Sequence, residues 1–161
     1  MNTVSSGAVI SSCEQYRYAL WRRWGEGTAL VWIMLNPSKA DAEQDDPTIR
    51  VVCGRSRLLG YSGAVVMNLF AYRATSPADM MSAADPVGPD NDRTLLKVRT
   101  SAGPIVCAWG AHGGHRGRDR RVLSLLMGKD LAALRLTKDG HPCHPLRIPY
   151  SEPLVPYDQL R

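Results

Sequence analysis

The apolar positions of this chain fall into short unbroken runs separated by polar turns, a spacing that predicts strands with helices between them. The most pronounced run is Leu30-Val31-Trp32-Ile33-Met34-Leu35, which ends abruptly in Asn36-Pro37-Ser38 and a cluster of acids, Asp41, Glu43, Asp45 and Asp46. Residues 64–67, Ala-Val-Val-Met, and 105–109, Ile-Val-Cys-Ala-Trp, read the same way, with Asn68 and Gly110 just beyond them. Residues 131–136 form the last such run. Ahead of these, residues 13–24 alternate, with Tyr16, Tyr18 and Leu20 set against Gln15, Arg17, Ala19 and Trp21, as a half-buried strand does. Gly25-Glu26-Gly27 is a turn signal and residues 28–35 are the returning strand, so an antiparallel hairpin is expected to feed the Asn-Pro-Ser loop.

Helix signals fill the gaps. Asp46-Pro47 offers an N-cap and a first-turn proline. Behind it Ile49, Val52, Cys53 and Leu59 make a buried stripe, Arg50, Arg55 and Arg57 lie elsewhere on the surface, and Gly60 closes the helix. Ser76-Pro77-Ala78-Asp79 has the form of a capping box, with Asp for the usual Glu. Further helices are expected over 92–101 and 119–127, the first broken by Gly103-Pro104. Strands alternating with helices predict a three-layer α/β/α fold with a mostly parallel central sheet, preceded by the N-terminal antiparallel hairpin. The whole of 1–161 is read as one domain, with 1–12 an extension and 147–161 a tail lying loosely on the surface.

Composition narrows the function classes. With 161 residues, 44% hydrophobic and 22% charged, the chain has an ordinary globular composition and is long enough for a real core. It has no apolar run near the ~20 residues a membrane span requires. Residues 1–12 lack the basic start and apolar centre of a secretory signal, so a cytoplasmic location and no membrane partner are expected. Cys13, Cys53, Cys107 and Cys143 are widely spaced without a C-x-x-C pair, which favours free thiols over disulfides or a metal centre. No cofactor is expected. A net charge of +5, with basic residues crowded at 17–23, 50–57 and 116–121, mildly favours an anionic partner, nucleic acid or nucleotide.

Ligands of open α/β sheets collect outside the carboxyl ends of the strands. That rule brings Asn36, Asn68, Trp109-Gly110 and His144 toward one edge. The glycine-rich stretch 110–118 precedes a helix, as a phosphate cradle would, although it lacks the Gly-Lys-Ser/Thr ending of a Walker loop and also reads as a surface turn.

Several phrases together resemble a bacterial family catalogued as domain of unknown function 1643. They are Met-Leu-Asn-Pro-Ser-x-Ala-Asp at 34–41, Asp-Asp-Pro-Thr-Ile-Arg at 45–50, Asn-Leu-Phe-Ala-x-Arg-Ala-Thr at 68–75, Gly-Pro-x-Asn-Asp at 88–92, Trp-Gly-Ala-His-Gly at 109–113 and His-Pro-Leu at 144–146. The order of an Asn-Pro loop, an Asn after the next strand, Trp-Gly after a later one and a final His-Pro is also similar to the uracil-DNA glycosylase superfamily. This second resemblance implies a glycosylase-like fold, with Asn36 positioning the attacking water, His144 near a base oxygen and Leu146 as a duplex wedge. Met34 and Ser38 stand where the superfamily loop carries glycines, and its Ser-Pro is missing between Pro145 and Leu146.

Hydrolysis of an N-glycosidic bond assigns the remaining candidates. Asp41, Asp45 or Asp46 offers a carboxylate for the water or for a cationic sugar, and His144 a donor to the leaving base. Pro37, Ser38, Trp109 and Gly110 would wall the substrate site. Asn68 could bond a base edge, and Phe70 or Tyr72 could stack on one. Arg73, Arg116 and Arg118 are phosphate candidates. Plainer readings compete: a cap for Asp46, charge balance for Asp45, core for Phe70, packing for Leu146 and a structural histidine at 144. Three functions remain open: a DNA glycosylase-like enzyme acting on a damaged or modified base, a small-molecule nucleoside or nucleotide hydrolase or transferase, and a non-catalytic nucleic-acid-binding module.

Overall fold

The dominant apolar run forms strand β3 (Ala29–Met34), and its side chains divide between two cores because successive strand residues point to opposite faces. Val31 and Ile33 join Met67, Leu69, Ile105 and Cys107 on one face, while Leu30, Trp32 and Met34 join Ala64, Val66, Val106 and Ala108 on the other. The computed structural model describes residues 5–158. The other strands are β1 (Ser5–Ile10), β2 (Arg17–Arg23), β4 (Gly63–Asn68), β5 (Ile105–Cys107), β6 (Leu131–Ala133) and β7 (Val155–Pro156). They form one sheet in the order β1-β2-β4-β3-β5-β6-β7. The four strands β4, β3, β5 and β6 are parallel neighbours, and the pairings β1–β2, β2–β4 and β6–β7 are antiparallel. The protein is thus α/β with a mixed sheet, not a mostly parallel one.

The hairpin expected between residues 13–24 and 28–35 does not form. β4 lies between β2 and β3, antiparallel to the first and parallel to the second. The Gly25–Gly27 turn is too open to pair its flanks, and the approach to β4 fills it: Trp24 and Gly25 both donate their N–H to Ser62, whose own N–H goes to Thr28. The N-terminal hairpin is instead β1–β2, with its first strand inside the stretch read as an extension; residues 1–4 of that stretch lie outside the described residues. Nor is β2 half-buried. Arg17, Tyr18, Ala19 and Leu20 are all buried, because both faces of the sheet are covered there.

Helix α1 (Pro47–Leu58) is capped as expected, the Asp46 carboxylate accepting the Ile49 N–H at 2.9 Å. Ile49, Val52 and Cys53 pack on the Trp32 face. Leu59, expected in that stripe, is 42% exposed, whereas Arg55, expected at the surface, is buried. The Arg55 guanidinium donates to the carbonyls of Ile148 and Pro149 and lies 5.2 Å from the Tyr150 ring. These bonds tie down the tail, which also contributes β7 and the buried Tyr157 and so does not lie loosely; residues 159–161 fall outside the described part.

The opposite face is covered by α2 (Pro77–Ser82), α3 (Asn91–Leu96) and α4 (Arg118–Leu125), through Met80, Leu95, Val122 and Leu123. The Ser76 hydroxyl caps α2 by accepting the Asp79 N–H. The chain therefore leaves β3 for α1 on one face, and its neighbour β5 for α4 on the other. Where adjacent strands send their connections to opposite faces, a crevice opens beyond their carboxyl ends. No helix among the described residues is long and apolar enough to cross a membrane.

Candidate functional site

A cleft of about 580 Å³ occupies that crevice, within the usual size range of small-molecule sites. β3 delivers Asn36 and Ser38 to it, β4 delivers Asn68, β5 delivers Trp109, Gly110 and His112, and the segment after β6 delivers His144 and Leu146. Asp46, Thr48 and Arg17 complete its polar lining together with Lys39 and Thr75.

Backbone bonds explain why sequence-distant loops meet here. Leu69 and Phe70 extend the β3–β4 pairing by donating to Met34 and Leu35, and Ala74 donates to Pro37. The Asn36 side chain adds to this clamp, its Nδ2 donating to Ala74 at 2.9 Å and Pro37 at 3.1 Å. Two carbonyl partners fix the amide with Nδ2 toward them, so Oδ1 is the part of Asn36 left to a ligand. On the far side, Gly110 adopts φ 74, a left-handed conformation suited to glycine, and donates to the Pro142 carbonyl at 2.7 Å. That bond holds the His144 segment beside the end of β5.

His144 lines the cleft and is exposed, although protein surrounds much of its ring. Desolvation by the surrounding protein pulls its imidazole below the ordinary histidine value, and Asp46 opposes the shift. Its Nδ1 accepts the Leu146 N–H at 3.1 Å, which places the proton of the neutral ring on Nε2 and makes that atom a donor. The sign follows directly. A neutral form favoured by folding contributes stability above the unfolded pKa of ~6.5. That contribution falls away as the pH drops below it, and protonated Nδ1 no longer accepts from Leu146. Thermal unfolding followed from pH 8 to pH 5 should show a wild-type acid loss that is smaller in His144→Gln.

Other candidates lie elsewhere. Asp41 is not at the cleft: its carboxylate accepts the N–H groups of Gln44 and Glu43, which hold its pKa below the usual range, and so it shapes a turn. Asp45 pairs with buried Arg22 at 2.8 Å. Pro37 is buried and serves through its carbonyl. Phe70 is fully buried, 5.7 Å from the His115 ring, and cannot stack on a ligand. Arg73 donates to Glu14 and lines a shallower depression that shares Ser38, Ala74 and Thr75 with the cleft. Arg116 leans on the carbonyls of Ala83 and Ala84. Arg118 is buried, donating to Leu69 and pairing with Asp92 at 2.6 Å, so it holds α4 against the end of β4 and not a phosphate. Asp46 is the acid that lines the cleft.

The glycine-rich stretch reaches the cleft through Gly110, Ala111 and His112. Ala111–Gly117 winds in 3-10 turns broken at His115 and Arg116, and a Cβ built on Gly113 would stand 2.1 Å from the ring of buried Trp109. Gly113→Ala should therefore lower stability by about 1–3 kcal/mol, the usual range for overpacking, read as a fall in Tm with little change in secondary structure.

Sequence reasoning missed two further features. Asn91, fully buried, donates from Nδ2 to the carbonyls of both Asn68 and Leu69 and so fixes the end of β4. Asn68 itself is buried at the cleft floor with its Nδ2 unpartnered, an arrangement that disfavours folding unless something else is gained. Arg17 is the other omission. It is buried, and desolvation brings its pKa down to about 10, still a cation at neutral pH. Among the described residues no group of three His, Cys, Asp or Glu is placed to hold a metal ion.

Neither the curated proteins nor the solved structures provide a match. A family model described as protein of unknown function (DUF1643) matches residues 17–146, a span that contains every one of the cleft residues named above. With most of its length matched, the chain belongs to the DUF1643 family.

Proposed function

We propose that the cleft binds a nucleobase-bearing ligand and hydrolyses its N-glycosidic bond, in the manner of a DNA glycosylase acting on a damaged or modified base. The observation that carries the reading is the pairing of an acceptor and a donor in one cleft: Oδ1 of Asn36 and the Nε2–H of His144. The acceptor orients a water by accepting a hydrogen bond from one of its O–H groups, which turns an oxygen lone pair toward the sugar carbon; as the C–N bond breaks and the C–O bond forms, the proton the water loses ends on the departing base. The donor stabilises negative charge on the departing base, where a neutral imidazole with its proton on Nε2 is the useful form. Asp46 supplies a carboxylate to a cationic sugar, and Asn68 offers its amide to a base edge. Leu146, 39% exposed at the cleft, suits a wedge. The reading is tested by incubating the protein with oligonucleotides carrying modified bases and with free nucleosides, and measuring released base chromatographically. Release that disappears in Asn36→Ala supports it, and a full panel without free base removes it.

A second reading, hydrolysis of a free nucleoside or nucleotide, is favoured by the arginines. Arg118 is engaged by Asp92, and Arg116 leans on α2, so two of the three phosphate candidates for a strand are held by the protein itself.

A further inference from the structure

We infer that the cleft has an anion-binding wall built on Arg17, and that it takes the terminal phosphate of a nucleotide; the nucleotide part rests on the second of the two nucleobase readings, a free nucleotide and not a strand, and the anion part rests on neither. Four arginines among the described residues are buried, and their partners differ. Arg22 has Asp45 and the carbonyls of Trp21, Asp41 and Gln44. Arg118 has Asp92 and Leu69. Arg55 has a buried, unpartnered Nε and no ion pair among the described residues, but its guanidinium holds two carbonyls and the face of Tyr150. Arg17 has the Ala40 carbonyl alone, at 2.8 Å from Nη1, with its Nε buried and unpartnered and no carboxylate among the described residues within ion-pair distance. Of the four, it is the one that lines the cleft.

A guanidinium carries five N–H donors, and burying it without a counter-charge opposes folding. Its retention at 2% exposure in the wall of a cavity calls for a partner that arrives with the ligand. The nearby acids are already engaged: Asp46 accepts from Ile49, and Asp41 from Glu43 and Gln44. Asp46 and Asp41 attract the guanidinium from beyond ion-pair distance, and Arg73 and Arg22 add like charge against them. Among the described residues the cleft lining holds two full cations, Arg17 and Lys39, against the single acid Asp46, with the Ser38 hydroxyl next to Lys39 and the Thr48 hydroxyl two residues past Asp46 in sequence. A planar fork of donors beside a lysine suits a tetrahedral oxyanion. Because Arg17 is so deeply set, a terminal phosphate can reach it end-on, whereas an internal diester would have to pass chain out on both sides of the wall.

Calorimetric and NMR titration of the full chain tests this with inorganic phosphate, a set of nucleosides, their 5′-monophosphates and a short single-stranded oligonucleotide. The monophosphates should bind at least about tenfold tighter than the nucleosides, as charge-assisted hydrogen bonds imply. The Arg17 Nε–H resonance, assigned by its loss in Arg17→Lys, should move on adding phosphate to the wild type. That second reading needs only the wild-type protein once the assignment is made, and Arg22→Lys provides the contrast if Arg17→Lys is unfolded. Equal affinities with an unmoved Arg17 signal overturn the anion wall and leave the nucleobase reading standing. Phosphate that moves Arg17 while no nucleoside or nucleotide binds overturns the nucleobase reading and the nucleotide assignment, and leaves the anion wall. An oligonucleotide that binds more tightly than every monophosphate overturns the choice of a terminal phosphate.

Discussion

Asn36→Ala should lower kcat for base release by roughly 10²-fold, the scale associated with misplacing a reacting group, here the attacking water. Two effects combine. The alanine variant has no Oδ1 to accept from the water, and it also releases the Ala74 and Pro37 carbonyls that Nδ2 holds. Asn36→Asp separates them. It keeps an acceptor on the water side but sets a carboxylate oxygen against the Ala74 carbonyl, so it should disturb the loop while retaining part of the activity. A KM that stays within about threefold in Asn36→Ala, with kcat reduced, locates the loss in the transition state. An unchanged kcat would show that the amide only clamps the loop.

Arg118→Ala should destabilise the fold by about 3 kcal/mol, at the low end of what breaking a buried ion pair costs. The moderating features are specific. Asp92 retains Arg121 at 3.3 Å, and the Leu69 carbonyl retains Asn91. In a domain of this size that loss corresponds to a fall in Tm of roughly 6–12 °C. The same substitution made in a surface phosphate contact would leave Tm nearly unchanged and weaken ligand binding in a salt-dependent way. Thermal denaturation of this one variant therefore separates the buried role from the phosphate role assigned to Arg118 on sequence grounds.

The fate of Arg118 illustrates what a sequence can and cannot convey. Local signals were legible: the Asp46 cap, the Ser76 cap and the apolar runs of β3, β4 and β5 depend on neighbours a few residues away. The gathering of Asn36, Asn68, Gly110 and His144 was legible too, because it requires only that strands run parallel and end together. Partners distant in sequence were not. An arginine reads as surface until Asp92 or the Ile148 carbonyl is seen against it, so Arg118 and Arg55 were misplaced and Arg17 was passed over. The neighbours of β2 were equally hidden, since alternation states that a segment is a strand and says nothing of which strand lies beside it. The Gly-Pro-x-Asn-Asp phrase held the clue to the end of β4. Its Asn91 and Asp92 serve Asn68, Leu69 and Arg118, yet two polar residues after a glycine look like any loop.

The position of β4 bears on how the molecule is assembled. A growing chain exposes residues 5–23 before residues 63–68 exist to receive them, so the first hairpin to be made must wait for β4 before it joins the sheet. Such non-local pairing slows folding, because the intervening loop must be closed before the contact can form. Arg17 begins β2 and bonds its N–H to the Ala71 carbonyl. The cleft thus lacks its Arg17 wall until β2 has docked on β4, so completing it waits on a pairing between segments about forty residues apart.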